Sequence, residues 1–266
     1  MKTISILGCG WLGLPLAVSL INEGYKVKGS TTTKEKREEL TKKGIDSSLI
    51  QLTPEAVEGD VTNFLEGTAL LIINIPPGMR KNPSESFAKK IEKLIPFLEK
   101  SSVTEVIFIS STSVYGNGSG IITEETRPEP ETAAAKELLL AEQQLSNNPN
   151  FKTTIIRFGG LIGPDRHPVV FLSGKKNVKN PYGNINFIHQ DDCIGLIEKV
   201  IEKNAWGYVF NGVYPDYPTR KDYYTAKAKE LSIAPPEFDE TSVSVERKVH
   251  GFFVETILGY KFIAPI

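Results

Sequence analysis

Thr3-Ile4-Ser5-Ile6-Leu7-Gly8-Cys9-Gly10-Trp11-Leu12-Gly13 is the stretch that decides how the chain is read. A short β-branched run ends on glycine, and Leu12, Leu16, Val18 and Leu20 then recur at helical spacing, able to pack on a sheet. The order is strand, tight turn, helix. Glycines 8, 10 and 13 fit G-x-G-x-x-G at the junction where that pattern has a mechanism. Gly8 permits the turn, Gly10 lets backbone approach a pyrophosphate, and Gly13 allows the helix to lie close to the strand. The helix N-terminus favours the anion. Pro15 falls in the first turn, where a missing N–H costs little. Gly8, Gly10, Trp11, Leu12 and Gly13 are therefore expected to cradle a dinucleotide phosphate, with Cys9 a small loop residue.

Outward from this point, strands and helices alternate. The patterns predict strands at Tyr25–Gly29, Leu49–Leu52, Ala69–Ile75, Val106–Ser110 and Thr153–Phe158. They predict helices at Lys34–Lys43, Phe87–Glu99 and Thr132–Leu145. The Ala69–Ile75 run is apolar almost throughout, as a parallel strand covered on both faces requires. This is an α/β chain with a doubly wound parallel sheet, the Rossmann arrangement. Residues 1–160 are expected to form the dinucleotide-binding domain. Beyond Gly160 glycine and proline become dense, and residues 161–266 are expected to form a smaller substrate lobe interleaved with late elements of the sheet.

The 266 residues carry a net charge of −1, so no electrostatic footprint for nucleic acid or an anionic membrane exists, and a small-molecule substrate is the expected partner. Two cysteines give no disulfide framework, no signal peptide is evident, and no apolar run approaches the roughly 20 residues of a membrane span. A cytoplasmic setting is the expectation. No His/Cys/Asp cluster has metal-ligand spacing, and Ser110-Ser111 lacks a nucleophile elbow.

An NAD site usually places a carboxylate at the end of the second strand. Here Thr31, Thr32 and Thr33 stand there, followed by Lys34, Lys36 and Arg37. Hydroxyls and cations suit a 2′-phosphate, so NADP is preferred over NAD as the expected cofactor. The same threonines also suit a helix cap and the same lysines a solvated helix face. Asn74, Ile75 and Pro76 follow the fourth strand at the carboxyl edge and are expected to line the cofactor, as is Ser110 after the fifth.

Four segments together resemble the extended and atypical branches of the short-chain dehydrogenase/reductase superfamily, which include NAD-dependent epimerase/dehydratase proteins acting on nucleotide sugars. They are Gly8 to Gly13, Ser110 to Gly116, Arg157 to Pro164 and Asn186 to Asp192, with Leu258 to Phe262 like the ending of these proteins. The resemblance implies a site of Ser/Thr, Tyr and Lys, in which tyrosine is the acid/base. Thr112, or its neighbour Ser113, matches the hydroxyl that orients substrate, and Lys136 matches the lysine that holds the nicotinamide ribose. The position four before Lys136, where the tyrosine belongs, is Thr132. A threonine has no accessible phenolate-like state near neutral pH and cannot replace it. The resemblance thus implies two alternatives: an epimerase/dehydratase- or reductase-like oxidoreductase acting on a small polar, sugar-derived substrate, or a non-catalytic sensor of NADP. Family proteins often form homodimers through two helices, for which Phe87–Glu99 and Ala133–Leu145 are the matching pair, while atypical members include monomers.

Tyr115 is the nearest alternative acid, though its position in the family packs beside the site. Arg157 ends the sixth strand as an ion-pair partner or a ligand contact. His189 reads as a structural histidine, Asp192 as the N-cap of the helix that follows it, and Glu124 with Glu125 as surface solvation.

Overall fold

The computed structural model describes residues 2–78 and 85–266. Seven parallel strands form one sheet: β1 Thr3–Leu7, β2 Lys26–Thr31, β3 Asp46–Leu49, β4 Thr68–Ile73, β5 Glu105–Ser111, β6 Lys152–Phe158 and β7 Val209–Gly212. Their spatial order is β7-β6-β5-β4-β1-β2-β3. The chain runs outward from β1 to β3, then crosses back to start β4 on the other side of β1. The carboxyl ends of β1 and β4 therefore diverge into a crevice at the switch point, where open α/β sheets bind ligands.

Helices cover both faces. They are α1 Gly13–Asn22, α2 Lys34–Lys42, α3 Phe87–Glu99, α4 Ala133–Ser146, α5 Gln190–Lys203 and α6 Arg220–Glu230, with short helices at Val61–Leu65 and Val169–Leu172. Successive side chains of β4 feed opposite layers. Leu70 and Ile72 join Leu16, Leu20 and Ile197 on the α1/α5 side, while Leu71 and Ile73 join Phe87, Ile91 and Ala141 on the α3/α4 side. This two-sided burial explains why the strand carries no polar alternation. Among the described residues, no helix is long and apolar enough to cross a membrane.

Two strand readings need correction. The third strand is Asp46–Leu49, not Leu49–Leu52, because β2 pairs from Lys28↔Asp46 to Thr31↔Leu49. Gln51–Leu52 forms a small antiparallel hairpin with Val57–Glu58. The edge strand is the polar Asp-Ser-Ser run, which suits a strand with one side open to water. The seventh strand, Val209–Gly212, escaped the sequence reading because it is short and carries Asn211 at a fully buried position.

Residues beyond 160 contribute β7 and α5 to the layers of the main sheet. They also build a small third core of Val169, Ile185, Tyr223, Tyr224 and Ala228. Two parallel strand pairs tie this region down: Gly160–Ile162 with Phe187–His189, and Gly120–Ile122 with Arg247–Val249.

Candidate functional site

The glycine loop is held open by its own hydrogen bonds. Gly8 has φ +104°, and a Cβ there would lie 2.7 Å from the Asn74 carbonyl oxygen. Its N–H donates to Ser30 Oγ at 3.0 Å, its carbonyl accepts from Asn74 Nδ2 at 3.0 Å, and Cys9 N–H donates to the Ser30 carbonyl at 2.8 Å. A Cβ on Gly13 would overlap the Gly8 carbonyl oxygen, whereas one on Gly10 would meet nothing within 4 Å. Gly8 and Gly13 thus shape the turn, and Gly10 faces open space.

Leu12 stands at the N-cap of α1 and offers no side-chain acceptor; Leu14 N–H is spent on the Gly10 carbonyl at 3.1 Å and Pro15 has none, so the N–H groups of Trp11, Leu12 and Gly13, without partners among the described residues, keep their donor capacity for a ligand. The cradle therefore fits a dinucleotide pyrophosphate on its geometry alone. Trp11 is fixed from two sides. Gln190 Nε2 donates to its carbonyl at 2.7 Å, and the Arg166 guanidinium stacks 5.0 Å from its ring. Cys9 is buried in the loop, and burial pushes its thiol up to about 12.

At the end of β2, Thr31 is half-buried and Thr32 exposed, while Thr33 caps α2 by accepting from Lys36 N–H at 3.3 Å. Lys36 Nζ is paired with Glu39 at 2.8 Å. Lys34 and Arg37 are exposed beside them. Asn74 and Ile75 are half-buried against Gly8, and Pro76 is exposed at the crevice lip.

A buried polar network runs behind the crevice. Ser110 Oγ donates to Glu142 Oε1 at 2.5 Å, and Arg157 donates to both Glu142 oxygens, from Nε at 3.1 Å and Nη2 at 2.6 Å. Arg157 Nη1 donates to the Tyr115 hydroxyl at 2.9 Å, which donates onward to Asn211 Oδ1 at 2.9 Å. Burial disfavours the Arg157 cation, but the Glu142 bonds outweigh it and hold the guanidinium above its ordinary pKa. Burial likewise raises the Tyr115 phenol, against the pull of Arg157. Tyr115 and Arg157 are thus engaged in holding β5, β6 and β7 together.

Glu124 is not a solvated surface residue. It is buried and accepts from the N–H groups of Asn211 (3.0 Å), Phe252 (3.1 Å) and Phe253 (3.3 Å), with burial raising its carboxyl despite those bonds. Asp192 is not the N-cap of α5 either. His189 is, its Nδ1 accepting from Asp191 N–H at 3.3 Å. Asp192, fully buried in the first turn, accepts from Tyr260 Oη, Ile263 N and Ala264 N.

Thr112 is buried at the start of a 3₁₀ turn, Thr112–Tyr115, and its carbonyl accepts from Arg247 Nη2 at 2.7 Å. Ser113 is exposed beside it. Thr132 lies just outside α4 as its N-cap, its hydroxyl accepting from Ala135 N–H at 3.2 Å. Lys136 is exposed in the first turn of that helix, which packs against the 3₁₀ turn. Glu142 and Arg247 were missed from the sequence. For Glu142 a signal existed, since it shares the helical spacing of the buried stripe Ala135, Leu138 and Leu145.

Comparison with known proteins agrees with this geometry. Residues 3–122 match the family model described as the NAD binding domain of 6-phosphogluconate dehydrogenase. Over the full chain the sequence is 34% identical to protein YeeZ of Escherichia coli strain K12, covering 97% of it. Among solved structures, a conserved protein of unknown function from Silicibacter pomeroyi superposes with a TM-score of 0.80 at 21% identity, over 100% of this chain and 95% of that one. UDP-glucuronic acid 4-epimerase from Bacillus cereus, solved with NAD, gives 0.79 at 17% identity, over 99% and 94%. These superpositions establish the fold along the whole chain.

Proposed function

We propose, from the premise that this chain belongs to the family of Escherichia coli protein YeeZ, that it binds NADP(H) and acts as an epimerase/dehydratase- or reductase-like protein on a small polar, sugar-derived substrate. The observation that carries the reading is the pairing of an open Gly10 with the uncapped N-terminus of α1. The backbone of Trp11, Leu12 and Gly13 would hold the pyrophosphate. Thr32 with Lys34 and Arg37 would meet a 2′-phosphate, because Thr33 and Lys36 already have partners. Asn74 to Pro76 would line the cofactor where β4 ends, and Lys136 would reach its ribose. When bound, the nicotinamide supplies or accepts hydride. Thr112 orients the substrate in the crevice between the sheet edge and the later residues; the B. cereus protein of the same fold is a UDP-glucuronic acid 4-epimerase.

One observation favours a second reading, a non-catalytic NADP sensor. Thr132 serves as a helix cap, and the nearest phenol, Tyr115, has its hydroxyl committed to Arg157 and Asn211. Calorimetric titration with NADPH and with NADH tests the cofactor. Addition of carbonyl and nucleotide-sugar substrates, followed by nicotinamide absorbance, tests the chemistry. Tight NADPH binding with turnover supports the enzyme, tight binding without turnover supports the sensor, and absence of binding refutes both.

A further inference from the structure

The first turn of α5 holds two distant parts of the chain at once. Gln190 holds the glycine loop, donating to the Trp11 carbonyl at 2.7 Å. Asp192, two residues on, holds residues 260–264. Its carboxylate accepts from Tyr260 Oη at 2.8 Å, Ile263 N–H at 2.8 Å and Ala264 N–H at 3.1 Å, and among the described residues no other segment supplies it a donor. Asp192 is fully buried. Without residues 260–264 it would be a desolvated charge with no partner, costly enough to displace the turn that carries it. The turn that would move is the one that steadies Trp11.

Residues 260–264 are attached in a way that lets them leave. Gly259, just before them, ends the turn Val254–Leu258 at φ +59°, a left-handed conformation that glycine adopts at no steric cost. Gly195 of α5 is the notch into which the segment docks, because a Cβ there would lie 2.4 Å from Tyr260 Oη. Between the segment and Glu23, Tyr25 and Glu198 runs a groove of about 730 Å³. Tyr260 and Phe262 pack on the core and on each other, with 5.4 Å between ring centroids, whereas Lys261 is exposed and Ile263 is 72% exposed. A segment with so few buried apolar groups opens at a small fraction of the global unfolding cost.

We infer that residues 260–264 form a strap, hinged at Gly259, whose docking on Asp192 keeps the glycine loop set for nucleotide, so that strap closure and nucleotide binding favour each other. The nucleotide half of this inference rests on the reading of the loop as a dinucleotide site. The shared element is the first turn of α5, seated when both Trp11 and the strap engage it and free to shift when either lets go. Linkage makes the effect reciprocal: the factor by which a closed strap raises nucleotide affinity is the factor by which bound nucleotide favours closure. The bonds of the loop and the bonds of the strap are therefore parts of one equilibrium.

Amide hydrogen exchange on the full-length protein tests both halves. Saturating NADPH should slow exchange of the Ile263 and Ala264 amides by about tenfold. Gly195→Val, which drives a side chain into Tyr260, should weaken NADPH binding by about the same factor. Without any nucleotide, the same variant should speed exchange of the Cys9 and Leu14 amides, which close the loop on the Ser30 and Gly10 carbonyls at 2.8 and 3.1 Å. Leu94 of α3, in the other layer, should not change. An equal rise at Leu94 and Leu14 would mean general loosening and overturn the coupling. Should Gly195→Val fail to fold, Tyr260→Phe removes one donor of Asp192 and gives the same signs at smaller size. Loop amides indifferent to the strap overturn the proposal, as does NADPH binding that neither slows the strap amides nor weakens in the variants. If wild-type protein binds no NADPH, the functional reading fails alone: faster loop amides in the variants still support the strap, and unchanged ones overturn it.

Discussion

Arg157 meets Tyr115 twice: its guanidinium stacks 4.8 Å from the ring centroid, and its Nη1 donates to the phenolic oxygen at 2.9 Å. The phenol nearest the crevice is thus a fastener between β5 and β6. Tyr115→Phe should cost about 1–3 kcal/mol of stability, the penalty for leaving buried partners unsatisfied. NADPH affinity should not change. Glu142→Gln removes the countercharge of the same guanidinium and should cost about 3–5 kcal/mol. Urea unfolding of both variants beside wild type measures this, and a Tyr115→Phe protein of full stability would contradict the fastener role.

Gly10 and Gly13 should separate binding from folding. Gly13→Ala forces its methyl into the Gly8 carbonyl and should lower stability by about 1–3 kcal/mol or more, as overpacking does. Gly10→Ala meets no protein atom, so its melting temperature should match wild type while NADPH affinity falls by about tenfold, or 1.4 kcal/mol. Calorimetry and thermal melts on the pair supply both numbers. Unaltered affinity in Gly10→Ala would remove the pyrophosphate from this loop.

Thr132 should behave as a cap. Thr132→Ala is expected to cost about 1 kcal/mol, and Thr132→Asp should restore it, because aspartate caps at least as well. A catalytic hydroxyl would give the opposite pattern, with activity lost in the aspartate variant whatever its stability.

Cys9 sits inside the glycine loop, yet burial with a pKa of about 12 leaves it neutral and shielded. Iodoacetamide at pH 8 should leave Cys9 of the native protein unmodified, as mass spectrometry of the digested protein would record. Rapid labelling would mean that the loop opens in solution.

Glu124 gives a pH dependence of defined sign. Its folded-state pKa lies above the ordinary 4.5, so the folded chain holds that proton more tightly than the unfolded chain does. The stability it contributes is complete below pH 4.5 and is lost as pH rises through the raised value. Unfolding free energies across that window should fall more steeply for wild type than for Glu124→Gln. Parallel slopes would show that burial does not shift this carboxyl.

What could be read from sequence was local. The glycine loop, the capping threonine at position 33 and the two-sided strand β4 each announce themselves within a dozen residues. Glu124 and Asp192 do not, because their donors lie far along the chain: Asn211, Phe252 and Phe253 for one, Tyr260, Ile263 and Ala264 for the other. A carboxylate beside prolines looks solvated until the sheet brings backbone N–H groups to it. Asp192 looked like a cap because it is an aspartate before an apolar run, but the tail draws it inward and His189 takes the cap. Arg247 had no local signature at all.

The bond from Gln190 to the Trp11 carbonyl spans 179 residues of sequence. Two residues on, Asp192 gathers Tyr260, Ile263 and Ala264. During synthesis the glycine loop therefore leaves the ribosome 179 residues ahead of its clamp and must wait for it. The clamp's own helix then waits for residues 260–264 before its buried carboxylate has donors. A nascent chain halted before Tyr260 has the central strands and the bonds from Ser30 and Asn74 that shape the loop, but the helix that clamps Trp11 still carries a buried carboxylate without its donors.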